Sequence, residues 1–175
     1  MEKRELRQTI IGELKAQDSD LKKKKDKQLL QELVATKAYQ DSQVIATYLA
    51  FDFEYDTSLL IEQAKRDGKL IVVPKTYPKG RMIFGLYDEK ELAPTRFGLR
   101  EPVSDEAFDK NQIDLIHVPG VVFNGQGFRV GYGAGYYDRY LSDYRGTTIS
   151  TIYDFQMADF KAGTHDIAVK EVLVK

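Results

Sequence analysis

Thirteen residues, Arg129–Leu141, read RVGYGAGYYDRYL. Gly131, Gly133 and Gly135 alternate with Tyr132 and Ala134, and Tyr136, Tyr137 and Asp138 follow. Alternate glycines allow backbone conformations closed to other residues and remove the Cβ atoms that hold a ligand off. Successive amides can then turn inward as an anion nest. The segment after the third glycine has helical character, and a glycine loop that opens a helix points free N–H groups at an anion. Arg129 adds a cation just ahead of the loop. A plain tight turn is the simpler reading of the glycines, but it leaves the Arg, the Asp and the tyrosines unexplained. No GxxxxGK[ST] string occurs in the chain. The spacing is GxGxG and falls late, so it does not match a dinucleotide fingerprint either.

Two carboxylates could work beside such a loop. Asp138 lies just past it, where it suits a helix N-terminus or a magnesium ion bound directly or through water. Asp166, next to His165, is a candidate second carboxylate. A third acid, Glu54, sits in FDFEYDT past a strand, where a carboxylate can accept hydrogen bonds from an amino-heterocycle. Asp52 and Asp56 flank it, alternating with Phe53 and Tyr55. At the chain start, Lys3, Arg4 and Arg7 stand near the N-terminus of a helix and oppose its dipole. A nearby anion would account for that placement, and solvation would make it tolerable without one.

Composition narrows the chemistry. There are no cysteines and only two histidines among the 175 residues, which removes disulfides, thiolate zinc sites and Cys nucleophiles. Any metal would be bound by oxygen, which favours magnesium or calcium. The net charge of −1 argues against a sequence-independent nucleic-acid binder. The run Lys22–Lys25 reads as a solvated helix face, and His117, inside an apolar strand, as a core histidine. No apolar stretch suits a signal peptide or a membrane span. A cytoplasmic protein without membrane or nucleic-acid partners is expected.

The elements that must position these residues alternate. Helices are predicted over Lys3–Lys15, from the Asp18-Ser19-Asp20 caps to about Ala38, and from Asp56-Thr57 to Gly68. Strands are predicted at Val44–Leu49, Leu70–Val73, Met82–Leu86, Ile113–Val118, Thr148–Tyr153 and Val172–Val174. The strand–helix–strand order over residues 44–73 is a βαβ unit, whose strands run parallel with a right-handed crossover. The expected fold is α/β: a single-domain, three-layer α/β/α arrangement, Rossmann-like, over residues 1–175, with a mostly parallel sheet. The segment Ala93–Pro102 reads as a loop.

The stretch HVPGVVFNGQGFRVGYGAGYYDRYL resembles the signature of the 5-formyltetrahydrofolate cyclo-ligase family. Pro119, Gly120, Phe123, Gly127, Arg129, the three alternate glycines, Tyr136, Tyr137 and Asp138 carry the likeness. Weaker matches run through the chain in order: Lys3 and Arg7; Leu49, Glu54 and Thr57; Val73-Pro74-Lys75; and Gly98, Glu101 and Pro102. The resemblance implies conversion of 5-formyltetrahydrofolate and MgATP to 5,10-methenyltetrahydrofolate, ADP and phosphate, through a phosphorylated formyl group; a monomer is expected. It further implies that Lys3, Arg4, Arg7, Arg129, Gly131, Tyr132, Gly133, Ala134, Gly135, Tyr136 and Tyr137 hold ATP, with Arg129 the catalytic charge. Asp138 and Asp166 would hold Mg2+. Leu49, Glu54, Phe97, Tyr132 and Tyr136 would contact the folate. Some relatives place Lys where this chain has Ala134, and Pro with an acid where it has Lys161-Ala162-Gly163-Thr164.

Overall fold

In the computed structural model, residues 2–96 and 98–175 are described. Helices α1 (Lys3–Ala16), α2 (Ser19–Ala35) and α3 (Lys37–Asp41) precede strand β1 (Val44–Ala46). Helix α4 (Thr57–Arg66) leads to β2 (Leu70–Thr76) and β3 (Met82–Leu86), followed by β4 (Leu92–Pro94) and β5 (Arg100–Pro102). The chain continues with β6 (Leu115–His117), β7 (Val122–Phe123), β8 (Arg129–Val130), α5 (Tyr136–Leu141), β9 (Thr147–Ile152) and β10 (Glu171–Val174).

Six strands form one sheet in the order β10-β9-β6-β1-β2-β3. All neighbours are parallel except β3, an antiparallel edge strand. The expected βαβ unit is present, with Ile45 opposite Ile71. Strand periodicity sends alternate residues to opposite faces. Ile45, Ile71, Val73, Leu115 and Ile149 pack against α2, α3 and α4. Ala46, Val72, Ile116 and Ile152 face the other way, towards Tyr140 and Leu141 of α5. Leu6, Ile10 and Leu14, the stripe read from the sequence, lay α1 over Val122 and Val130 of the β7–β8 hairpin.

Several boundaries differ from expectation. The second helix stops at Ala35, because Thr36 ends it and caps the next. The Thr36 N–H and Oγ1 both donate to the Leu33 carbonyl, and Oγ1 accepts from the Tyr39 N–H at 3.1 Å. Strand β1 ends at Ala46, and the chain leaves the ladder after Thr47, whose N–H still reaches the Val72 carbonyl. Strand β2 runs through Pro74 to Thr76, beyond the residues paired with β1, so Pro74 needs no donor on that side. The segment read as a loop contains the short β4–β5 hairpin.

The lysine run is only partly a solvated face. Lys23 and Lys24 are exposed, but Lys22 pairs with buried Asp26 at 2.7 Å and Lys25 with Asp154 at 3.5 Å. Both ammonium groups lie over the Tyr153 ring. His117 is a core histidine as expected. Its two ring nitrogens meet the hydroxyls of Thr47 and Thr151, each at 2.9 Å, joining the three central strands. Burial lowers its pKa to about 3.

Candidate active site

The strand order reverses between β1 and β6. In open α/β sheets the crevice beyond the strand ends at such a reversal is where ligands bind. Two segments leave the sheet there: residues 47–56 after β1, and residues 118–135, which carry the β7–β8 hairpin and the glycine loop.

The hairpin exists because Asn124 turns it. Its Oδ1 accepts from the Gln126 and Phe128 N–H groups, at 3.0 and 3.1 Å. Arg129 follows in β8, 7% exposed. Its Nη2 stands 3.5 Å from Asp138 Oδ1, and its guanidinium lies 5.6 Å from the Tyr137 ring centre. Burial lowers its pKa, and Asp138, Tyr137 and Asp166 oppose that shift. Arg129 Nε and the Tyr137 hydroxyl are buried with no partner among the described residues. Orphaned donors of this kind are rare and point to a missing acceptor.

The glycine loop is braced from α1. Arg7 Nε donates to the Gly131 carbonyl at 2.7 Å, and its guanidinium runs beneath Gly133. Gly133 and Gly135 adopt φ of 105° and 72°, whereas Gly131 does not need a positive φ. Gly135 is the N-cap of α5. Lys3 reaches Asp166 Oδ2 at 3.1 Å, and that oxygen also accepts from the Gly163 N–H at 2.7 Å. These bonds, the Gly163 amide first, hold the Asp166 carboxyl below its ordinary range. Asp138 Oδ1 accepts from the Ile167 N–H at 3.1 Å, so the two carboxylates meet at adjacent backbone positions. Arg4 is the exception among the basic residues: it is exposed and makes no hydrogen bond or ion pair with the loop.

Across the crevice, Glu54 is buried. Its Oε1 accepts from the Phe51 N–H at 2.9 Å. Burial pushes its carboxyl up to about 7, against the Phe51 amide, the facing Tyr132 hydroxyl and the charge of Lys22. Tyr132 is exposed and meets the Phe51 ring edge-on at 5.8 Å. Tyr136 packs on the α5 side of the core. Leu49 is half-buried against the cluster of α2 and α4, and Phe97 lies outside the described residues.

Sequence reasoning missed Tyr48. It stacks on His117 at 5.1 Å and senses the charge of Glu54, so it helps line the Glu54 side. The signal available was its place at the end of a buried strand, which many core tyrosines share.

The model of the 5-formyltetrahydrofolate cyclo-ligase family matches residues 1–175. The chain belongs to that family. The mouse 5-formyltetrahydrofolate cyclo-ligase is 28% identical, over 98% of this chain and 92% of its own length. A 5,10-methenyltetrahydrofolate synthetase structure from Mycoplasma pneumoniae has a TM-score of 0.79 and 28% identity, covering 99% of this chain and 98% of the other. One from Aquifex aeolicus has a TM-score of 0.86 and 26% identity, covering 99% and 90%. The cyclo-ligase resemblance read from the glycine–tyrosine string therefore holds over the whole chain, and the protein is an enzyme of this ligase family. The α/β fold, with its mostly parallel sheet flanked by helices, is that of the synthetase structures.

Proposed function

We propose that the chain closes 5-formyltetrahydrofolate to 5,10-methenyltetrahydrofolate, using ATP and Mg2+ and releasing ADP and phosphate. The observation that carries this reading is Arg129: a buried guanidinium beside a glycine loop, flanked by Asp138, with its Nε left without an acceptor among the described residues.

A formyl amide oxygen is a poor leaving group. Attack of that oxygen on the terminal phosphoryl of ATP forms an O–P bond as the bond to ADP breaks, and the phosphorylated oxygen is a good leaving group. N10 then attacks the formyl carbon, the ring closes, and phosphate leaves with the oxygen. The chain's own residues supply position and charge. Arg129 faces the transferred phosphoryl and stabilises charge that develops there, a role suited to a preorganised cation in a dry site. Arg7 holds the loop at Gly131, so the amides after it stay turned towards the phosphates. The tyrosines of the loop line the approach, and the buried Tyr137 hydroxyl donates to a ligand oxygen. Glu54 accepts the amino and ring N–H donors of the pterin.

Among the described residues no group of three or more Asp, Glu, His or Cys is assembled. Magnesium does not require one, because it retains waters and binds through one or two carboxylates plus phosphate oxygens. Asp138 and Asp166 fit that donor set, each with one oxygen bonded to a backbone amide and the other without an amide donor. Magnesium would neutralise phosphate charge there. Asp166 would offer it Oδ1, since Lys3 and the Gly163 amide both engage Oδ2.

The test is direct. Protein, MgATP and 5-formyltetrahydrofolate are mixed and the near-ultraviolet absorbance of the methenyl product is followed. Well-folded protein that forms no product would sink the reading.

A further inference from the structure

Tyr132 spans the crevice between two fixed jaws. On one side, residues 51–54 close a tight turn: the Glu54 N–H donates to the Phe51 carbonyl at 3.0 Å, and Glu54 Oε1 accepts from the Phe51 N–H at 2.9 Å. The Phe51 ring stacks on Phe53 at 5.3 Å, with 10° between the planes. The end of α1 anchors this turn, since Gln17 Nε2 donates to the Phe53 carbonyl at 3.0 Å and Lys15 lies over the Phe53 ring at 5.5 Å. On the other side, α1 also holds the glycine loop, through Arg7 and the Gly131 carbonyl. One helix thus sets the distance between the jaws.

Tyr132 is rooted in the loop and ends on the acid. Its ring meets Phe51 edge-on at 5.8 Å, and its hydroxyl reaches the Glu54 carboxylate. The residue is nevertheless 46% exposed, so little packing holds it beyond those two contacts. The backbone on either side is unhindered. Among the described residues, a Cβ at Gly131 would meet nothing closer than 3.6 Å, and one at Gly133 nothing closer than 3.8 Å. Lack of space is therefore not what calls for glycine at these positions. Gly133, with φ of 105°, uses the conformational freedom of glycine, and Tyr132 sits between two residues that can pivot.

On the cyclo-ligase reading, both ligands compete with this arrangement. The pterin donates to the Glu54 carboxylate, the group that the Tyr132 hydroxyl already holds. Phosphates draw the loop amides towards themselves, that of Tyr132 among them, and so turn the backbone that carries the ring. Each ligand therefore favours the state in which Tyr132 has left Glu54. Two ligands that favour the same state help each other to bind, by equal factors in both directions. We propose that Tyr132 is a positioning residue that bridges the crevice to Glu54 in the free enzyme, and that its release makes the folate and the nucleotide bind cooperatively. The proposal rests on the cyclo-ligase reading and adds to it a link between the two substrate sites.

The experiment measures binding of 5-formyltetrahydrofolate by calorimetry, with and without magnesium and the non-hydrolysable β,γ-imido analogue of ATP, so that no turnover intervenes. It compares the unaltered protein with Tyr132→Phe, which keeps the ring on Phe51 and lacks only the hydroxyl. The unaltered protein should bind the folate roughly tenfold more tightly when the analogue is present, within the ordinary range of coupling between two sites. Tyr132→Phe should bind the folate more tightly than the unaltered protein when the analogue is absent, and the analogue should then improve binding by less than about twofold. A hydroxyl that is only one more folate contact would instead weaken binding in the variant, with and without the analogue, and would overturn the bridge. So would an unaltered protein whose folate affinity ignores the analogue, or a variant whose coupling is unchanged. In each of these cases the folate still binds, and the cyclo-ligase reading stands. If neither ligand binds the folded, unaltered protein, that reading falls and the bridge with it.

Discussion

Arg129 turns Nη2 towards Asp138 Oδ1 at 3.5 Å, while its buried Nε meets no acceptor among the described residues. A guanidinium held this way is oriented by one carboxylate and keeps donors for a ligand. Arg129→Ala should therefore lower kcat roughly 10²–10³-fold, the range seen when one preorganised donor to transition-state charge is removed. Its effect on unfolding free energy should stay within about 2 kcal/mol, because Asp138 keeps its bond from the Ile167 N–H. Arg129→Lys restores the charge without the planar fork and should recover only part of the rate. Steady-state kinetics and urea unfolding of both variants decide this, and an alanine variant with unchanged kcat would remove Arg129 from the mechanism.

Asp138 and Asp166 sit either side of one short backbone step, joined through the Ile167 N–H. If they hold magnesium, Asp138→Asn should raise the Mg2+ concentration for half-maximal rate by roughly 10–100-fold, the scale on which weakened metal shells are felt. Asp166→Asn should act in the same direction and also release Lys3 from its ion pair. The check is a magnesium titration of the rate at saturating folate. Half-saturation unchanged in both variants would place the metal elsewhere.

The parts of this fold with strong periodicity were legible in the sequence. The α1 stripe, the βαβ unit and the buried strands followed from the spacing of apolar residues. What escaped was set by single side chains bonding out of register. Thr36 splits one expected helix into two through three hydrogen bonds, and Asp26 looks like one more charge in a lysine-rich helix. The site residues were named from motif and resemblance, and the fold brings most of them to one crevice. Arg4 stays outside it, since adjacent helix positions point around the axis and only Lys3 and Arg7 share the face towards the loop.

Asp26 offers a control for stability without chemistry. It is 2% exposed and accepts from Lys22 Nζ at 2.7 Å, from the Tyr153 hydroxyl at 2.6 Å and from the Asp56 N–H at 3.3 Å. Truncation to alanine strands a half-buried ammonium and two further donors. The expected loss is about 3–5 kcal/mol, read from denaturant midpoints, with kcat of the remaining folded enzyme little altered. A loss below about 1 kcal/mol would mean that water replaces the carboxylate at little cost.

Glu54 links the site to pH. Burial raises its carboxyl from an ordinary 4.5 to about 7, so the folded chain holds this proton where the unfolded chain has released it. Stability tied to the group is therefore full below pH 4.5 and is lost as pH rises through about 7. The shift corresponds to about 3 kcal/mol across that window. Glu54→Gln carries no proton to lose. Against the parent it should flatten the stability profile between pH 4.5 and 7, and above neutrality the ligand-free variant should be the more stable of the two. The same substitution should weaken folate binding, because an amide presents one acceptor and adds donors where the pterin already donates. Thermal unfolding of both proteins across this pH range, with and without folate, separates the two effects. Parallel stability profiles for parent and variant would show that Glu54 is ionised in the folded protein throughout.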